Sequence, residues 1–371
     1  MKFNINHFAF IALAASALAG QACTLTDEDD PYVDAPLSIV VENPLITADG
    51  NDYARIIVKE GDREVTEGVT IYNAKTNKPE ELPDFRFTTN TPGTYRFWAS
   101  YKTKSTSAKD PAKITAISGK VPVLPNDGAP DGLSFERKLF FIQFTGTSCG
   151  YCPIMTNLLR EYAAAHDNFV LAACHSYGSA LSDPAYFSGG LTSAMSISGF
   201  PTSIMNLDKT LRFSTATNLT SLEAMASKEL SSSEALAGLC ASTTLDGNQI
   251  VIKAGVKAAV DGTFRLGAWL LEDGIEAEQA NYNRVPGDFS IHNNCLRATI
   301  GQSSANDYFG EPVSLKAGET AEQFYIVTLN EKWKRENCHV VVYVTTANGN
   351  SYKVNNVIDC PVNASVAYKY N

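Results

Sequence analysis

Two cysteines separated by two residues, Cys149-Gly150-Tyr151-Cys152, followed by Pro153, are the side chains of this sequence best suited to do chemistry. On the first turn of a helix that spacing brings the sulfurs within bonding distance, and the unpaired backbone N–H groups there favour a thiolate on the first cysteine. Cys149 is then the attacking sulfur and Cys152 the resolving one, a catalytic pair able to exchange disulfides. Pro153 suits a first helical turn, where its missing N–H removes no internal bond. A zinc site would need a second ligand pair. The sequence offers no other Cys-x-x-Cys and no histidine pair at ligand spacing, so neither a metal nor another cofactor is expected. A disulfide that stays permanently oxidised and only braces the fold is the second reading of the same two residues.

Holding the pair in place requires a buried strand before it and an amphipathic helix after it. Lys138 to Phe144 is a nearly continuous apolar run, the pattern of a strand covered on both faces, and Met155, Leu158, Leu159, Tyr162 and Ala163 recur at helical spacing. A second strand spans Phe169 to His175; Gly199-Phe200-Pro201-Thr202 opens another that runs to Met205, and a final helix lies near Asn218 to Leu230. This order resembles the thioredoxin fold. The resemblance implies that Pro201 is cis beside the dithiol and that Phe200 pairs by backbone with a bound peptide, making Phe200 and Pro201 a substrate edge. It also marks a departure: Gln143 stands where thioredoxins carry a buried acid that moves protons for the second cysteine. His175 ends the second strand next to the dithiol turn, where it could act electrostatically on Cys149 or border the substrate, although a lone histidine at a strand end is more often a structural hydrogen-bonder. Cys174 points to the opposite face and reads as a small buried apolar residue.

The N-terminus sets the compartment. Lys2, an apolar stretch from Phe8 to Ala19 and the small residues before Cys23 make residues 1–22 an export signal, too short to span a bilayer. Ala22-Cys23 resembles the cleavage and lipidation site of bacterial lipoproteins, although Gly20 stands where leucine is usual; cleavage leaving an unmodified Cys23 is the alternative. Residues 23–35 read as an acidic tether, and Asp27-Glu28-Asp29-Asp30 resembles the signal that sends lipoproteins to the outer surface. The expected place is therefore the outer membrane, surface-exposed, with the periplasmic face as the other option.

Between the tether and a Pro/Gly-rich linker at 122–134, residues 36–121 alternate apolar and polar positions over short runs separated by turns such as Asp49-Gly50 and Pro92-Gly93. That predicts a β-sandwich, and Pro92-Gly93-Thr94-Tyr95 resembles the late strands of bacterial immunoglobulin-like domains. Residues 135–234 form the thioredoxin-like α/β domain. Residues 235–371 again read as strands, with Asn348-Gly349 marking a hairpin, and predict a C-terminal β-sandwich. A hairpin centred there brings Cys338 opposite Cys360, leaving Cys240 to pair with Cys295, among three connectivities open to four cysteines.

The whole chain has 371 residues, 44% hydrophobic and 19% charged, with eight cysteines and a formal net charge of −10. That excludes a disordered chain and a multi-pass membrane protein, and the absence of a Lys/Arg cluster argues against a nucleic-acid partner. Phe144 to Pro153, the strand ending at His175, Gly199-Phe200-Pro201 and His292 to Arg297 together resemble the Omp-twenty-eight family of outer-membrane lipoproteins over residues 135–371. The resemblance implies either thiol–disulfide exchange on envelope or extracellular proteins, or a surface adhesin held to the membrane by its lipid, in which the dithiol is structural.

Overall fold

The computed structural model describes residues 11–12, 31–32, 34–301 and 307–371. They gather into two compact units whose boundary in sequence falls between Val121 and Pro122. Apart from residues 11–12, the expected signal segment lies outside the described residues, as does Cys23. Among the described residues no helix is long and apolar enough to cross a membrane.

In the N-terminal unit, alternating β-branched and aromatic residues give strands with one buried face. One sheet holds Leu37–Glu42, Ala54–Glu60, Arg63–Glu64 and Arg86–Phe87. Another runs Leu45–Thr47, Ala112–Ile117, Gly93–Tyr101, Val69–Asn73 and Lys78–Pro79. Ile56 and Val58 from the first sheet meet Ile71, Phe97 and Ile114 from the second in a single core, so the unit is a two-layered β structure. The strand expected at Phe85 to Thr88 is reduced to Arg86–Phe87, because Asp84 and Phe85 take positive φ in a short turn opened by Pro83. Buried Glu60 is paired with Lys104 at 2.6 Å and Arg63 at 2.5 Å, and Lys104 Nζ also donates to the carbonyls of Tyr32 and Ala35. The chain is thus fastened to this unit from Tyr32 onward, and the last residues assigned to the tether belong to the fold.

The second unit, Pro122–Asn371, is compact as a whole. Its elements are β1 (Leu139–Thr145), α1 (Cys152–Ala165), β2 (Phe169–His175), α2 (Leu191–Ala194), β3 (Thr202–Met205), β4 (Asp208–Phe213) and α3 (Leu219–Ser231). There follow β5 (Ala237–Asp246), β6 (Gln249–Ala258), β7 (Gly262–Glu272), β8 (Cys295–Ile300), β9 (Glu311–Leu315), β10 (Thr320–Thr328), β11 (Cys338–Asn348) and β12 (Ser351–Pro361). The large sheet runs β4-β3-β1-β2-β8-β7-β11-β12. In it β2 is parallel to β1, β3 antiparallel to β1, and β4 antiparallel to β3. A second sheet places β6 between β10 and β5 and shares a core with β7 and β11.

One sheet therefore passes through the boundary expected at residues 234–235. The link is parallel pairing of Ala173 with Cys295, with the Ala173 amide donating to the Asn294 carbonyl at 2.8 Å. Packing explains the fusion. Leu139 and Phe141 on β1 meet Met155, Leu158 and Tyr162 of α1 and Leu222 of α3. Phe140, Ile142 and Phe144 face the other way, into a cluster with Trp269, Val341 and Tyr343. The Phe140 ring lies 4.9 Å from Trp269 and 5.8 Å from Tyr343. Each such side chain is worth about 1.5–3 kcal/mol on burial, so residues 135–234 alone would leave a large apolar face wet.

The expected linker, 122–134, has no regular structure but is not a free spacer. Lys257 Nζ, 1% exposed, donates to Asp127 Oδ2 at 2.8 Å and to the carbonyls of Ala129 and Pro130, while Tyr370 donates its hydroxyl to Asp127 Oδ1 at 2.6 Å.

Candidate dithiol site

The turn after β1 carries Cys149, and α1 begins at Cys152, with Pro153 in its first turn and no acidic side chain there to oppose a thiolate. The two cysteines form a disulfide with their Cα atoms 5.4 Å apart. Cys149 is 4% exposed and Cys152 0%. The Cys149 amide donates to the Gly146 carbonyl and the Cys152 amide to the Cys149 carbonyl, which winds the chain into the helix. Gln143 lies beneath, its amide donating to Thr156 Oγ1 at 2.9 Å, so the position that would hold an acid is occupied by a committed hydrogen-bond donor.

His175 sits at the end of β2, level with Thr145, and is buried, with its Nδ1 2.9 Å from Asp183 Oδ2. The same carboxylate oxygen accepts the Thr147 amide at 2.9 Å, and Asp183 Oδ1 accepts the Ala185 amide. Through Asp183, His175 is linked to the Thr147 amide in the loop that precedes the dithiol. His292 stands beside it, rings 5.0 Å apart, with its Nε2 3.1 Å from the Ala277 carbonyl oxygen; burial and the neighbouring His175 hold its pKa below the ordinary histidine value. The Phe200–Pro201 bond is cis and precedes β3; Pro201 is buried, and the half-buried Phe200 ring lies 5.3 Å from that of Tyr177.

A segment that sequence reasoning did not connect to the site lies directly on it. Between the two-residue strands Ile275–Glu276 and Ile291–His292, the chain crosses the dithiol loop. Ala280 donates its amide to the Thr147 carbonyl at 2.8 Å and Tyr282 to the Gly150 carbonyl at 2.9 Å. The side-chain amide of Gln279 donates toward the carbonyls of Thr147 and Cys149, each at 3.0 Å. The Tyr282 ring covers Gly150, where a Cβ would come within 2.3 Å of it, and meets Tyr151 edge-on at 5.7 Å. Nothing in the local pattern near residue 280 marks it as part of a site remote in sequence.

The other cysteines correct the expected bridges. Cys174, Cys240, Cys295, Cys338 and Cys360 are free and buried. The β11–β12 hairpin pairs Asn348 with Ser351, and a bulge at Val344/Thr345 shifts the register again, so Cys360 faces Val340 rather than Cys338. Cys240 lies on β5 facing Leu124 and Tyr368 across Gly255, whereas Cys295 packs with Ala185 and Ile275 on the other sheet, which keeps that pair apart. Burial pushes the Cys174 and Cys338 thiols up to about 12 and those of Cys240 and Cys360 up to about 11. Among the described residues no group of three or more histidine, cysteine or carboxylate side chains is placed to hold a metal ion.

Residues 190–366 match the family described as outer membrane protein Omp28. The matched stretch begins after the dithiol and after His175, and it includes Phe200, Pro201 and the residues that cross the dithiol loop. The expected resemblance, drawn over 135–371, is narrower at its N-terminal side. Among solved structures the chain is similar to HBP35 of Porphyromonas gingivalis, at 15% identity and a TM-score of 0.49, over 62% of this chain and 76% of that one. No curated protein matches the chain.

Proposed function

We propose that this protein is an outer-membrane lipoprotein, tethered through Cys23 and surface-exposed, whose Cys149–Cys152 pair exchanges disulfides with envelope proteins. The observation that carries the reading is the disulfide at the N-terminus of α1, set at the end of a buried strand in a β2-β1-β3-β4 sheet with helices after β1, β2 and β4. That arrangement is the one the thioredoxin-like reading calls for, and the Omp28 match supports the envelope location. The N-terminal unit then acts as an immunoglobulin-like spacer.

Exchange starts from the observed disulfide. A substrate thiolate attacks the Cys149 sulfur, the Cys149–Cys152 bond breaks, and Cys152 leaves as a thiolate that takes up a proton. A second substrate thiolate then attacks the mixed disulfide and expels Cys149, so two electrons pass from the substrate dithiol to the protein. The reverse sequence reduces a substrate disulfide. Cys149 is the sulfur to be attacked because Cys152 has no exposed surface. Phe200 and Pro201 would border the substrate.

The near-complete burial of both sulfurs favours a second reading, a surface-binding lipoprotein whose dithiol is only a brace. A Cys152→Ala variant decides between them. Under the first reading it accumulates mixed disulfides with envelope proteins through Cys149. Under the second it accumulates none, and deleting residues 36–121 removes a binding phenotype that Cys149→Ala leaves intact.

A further inference from the structure

We propose that the segment 277–290 is a built-in cap on the dithiol, held shut by Gln279 and Tyr282, and that any reductant reaches Cys149 only after this segment lifts. The cap belongs to the same site as the proposed exchange, but it is a statement about access and does not depend on which protein, if any, is the substrate.

The clasp is local and mostly polar. It consists of the backbone bonds from Ala280 to Thr147 and from Tyr282 to Gly150, the Gln279 amide on the carbonyls of Thr147 and Cys149, and the Tyr282 ring laid on Gly150. Between residues 277 and 290 only Phe289 is buried, so lifting the segment near Gln279 breaks hydrogen bonds without opening a core. A separate anchor secures the far end: Arg160 of α1 donates to the Asp288 carbonyl at 2.8 Å and stacks on Phe289 at 4.7 Å. Gln279, Asn281, Gly287 and Phe289 border an open surface depression formed within the segment itself, so its two arms are not packed solidly together. Ile275 pairs with His292 and the Ala277 amide donates to the Ser290 carbonyl, so the segment is closed at its base and the stretch from Gln279 to Tyr282 can lift while that base holds. Glycine at position 150 fits the role, since any side chain there would strike the Tyr282 ring.

The test is reduction of the full-length protein by dithiothreitol, quenched with an alkylating agent and read by mass. A dithiothreitol thiolate attacks Cys149 and expels the Cys152 thiolate; its second thiolate then displaces Cys149, leaving dithiothreitol as the cyclic disulfide and the protein with two thiols. A capped dithiol gives a rate that levels off as dithiothreitol is raised, the ceiling being the opening rate. Gln279→Leu and Tyr282→Ala each lift that rate by about threefold to tenfold, the range set by losing one or two net hydrogen bonds or a ring contact. Tyr282 is exposed, so its variant keeps the fold even where Gln279→Leu does not. A rate that rises in strict proportion to dithiothreitol and is the same in Tyr282→Ala overturns the cap. If instead the cap behaves as described and Cys152→Ala traps no protein, the exchange reading fails and the cap stands.

Discussion

The imidazole of His175 and the carboxylate of Asp183 lie 2.9 Å apart, both shut away from water, and the oxygen they share also accepts the amide of Thr147. Burial alone would raise the Asp183 carboxyl; the His175 ring and the amides of Thr147 and Ala185 outweigh it and hold the group below the usual carboxylate range. A carboxylate depressed in the folded state contributes stability that is complete above its unfolded value and is lost as pH falls through the folded one. Asp183→Asn turns an acceptor into a donor facing an N–H. The expected cost near pH 7 is about 1–3 kcal/mol in urea denaturation, converging on the parent protein below about pH 4.

His339 makes the opposite prediction. Burial favours the neutral ring, but Asp273 and Asp359 outweigh it and lift the pKa to about 9. Nδ1 lies 2.6 Å from Asp359 Oδ1, a hydrogen bond, while Nε2 is 3.5 Å from Asp273 Oδ1, an ion-pair distance only. Since the folded value is above the unfolded one, this contribution is whole below about pH 6.5 and disappears as pH rises through about 9, a loss of about 3 kcal/mol. Stability measured across that window should slope downward, and His339→Gln should flatten the slope. An unchanged slope would contradict the pairing.

Lys257 joins the irregular stretch 122–134 to β6. Lys257→Met keeps the bulk but strands Asp127 and two carbonyls, at a cost of about 1.5–3 kcal/mol. Limited proteolysis of that variant should cut within 122–134, where the parent resists. Equal resistance would mean the stretch is held by other contacts.

The free thiols can be counted chemically. With pKa values near 11 and 12, Cys240, Cys338 and Cys360 should ignore alkylating agents at pH 8 in the native protein and react once it is unfolded without reductant. A peptide linking Cys338 to Cys360 in the unreduced digest would reinstate the bridge that the hairpin register argues against.

Local pattern revealed the dithiol, the strand before it and the helix after it, because a nearly continuous apolar run from Lys138 to Phe144 and 3.6-residue spacing from Met155 are properties of neighbouring residues. The N-terminal strands were legible for the same reason. What escaped was set by distant partners. Neither Gln279 nor Asp183 stands in any motif, and each acquires its role only when the chain folds back on Thr147. The hairpin at Asn348-Gly349 was legible, but its turn register, which pairs Asn348 with Ser351, and the further shift at the Val344/Thr345 bulge were not, and with them went the expected pairing of Cys338 with Cys360. The seamless sheet across residue 235 hangs on one bridge between Ala173 and Cys295, which no local composition announces.

The contact of Phe140 with Tyr343 has a consequence for the order of events after synthesis. The strand that presents the dithiol cannot bury its second face until β7, β11 and β12 have also arrived, so the unit is dominated by contacts between residues far apart in sequence, the slow-folding regime. During synthesis from the N-terminus, β1 therefore keeps one apolar face uncovered until these later strands have been made.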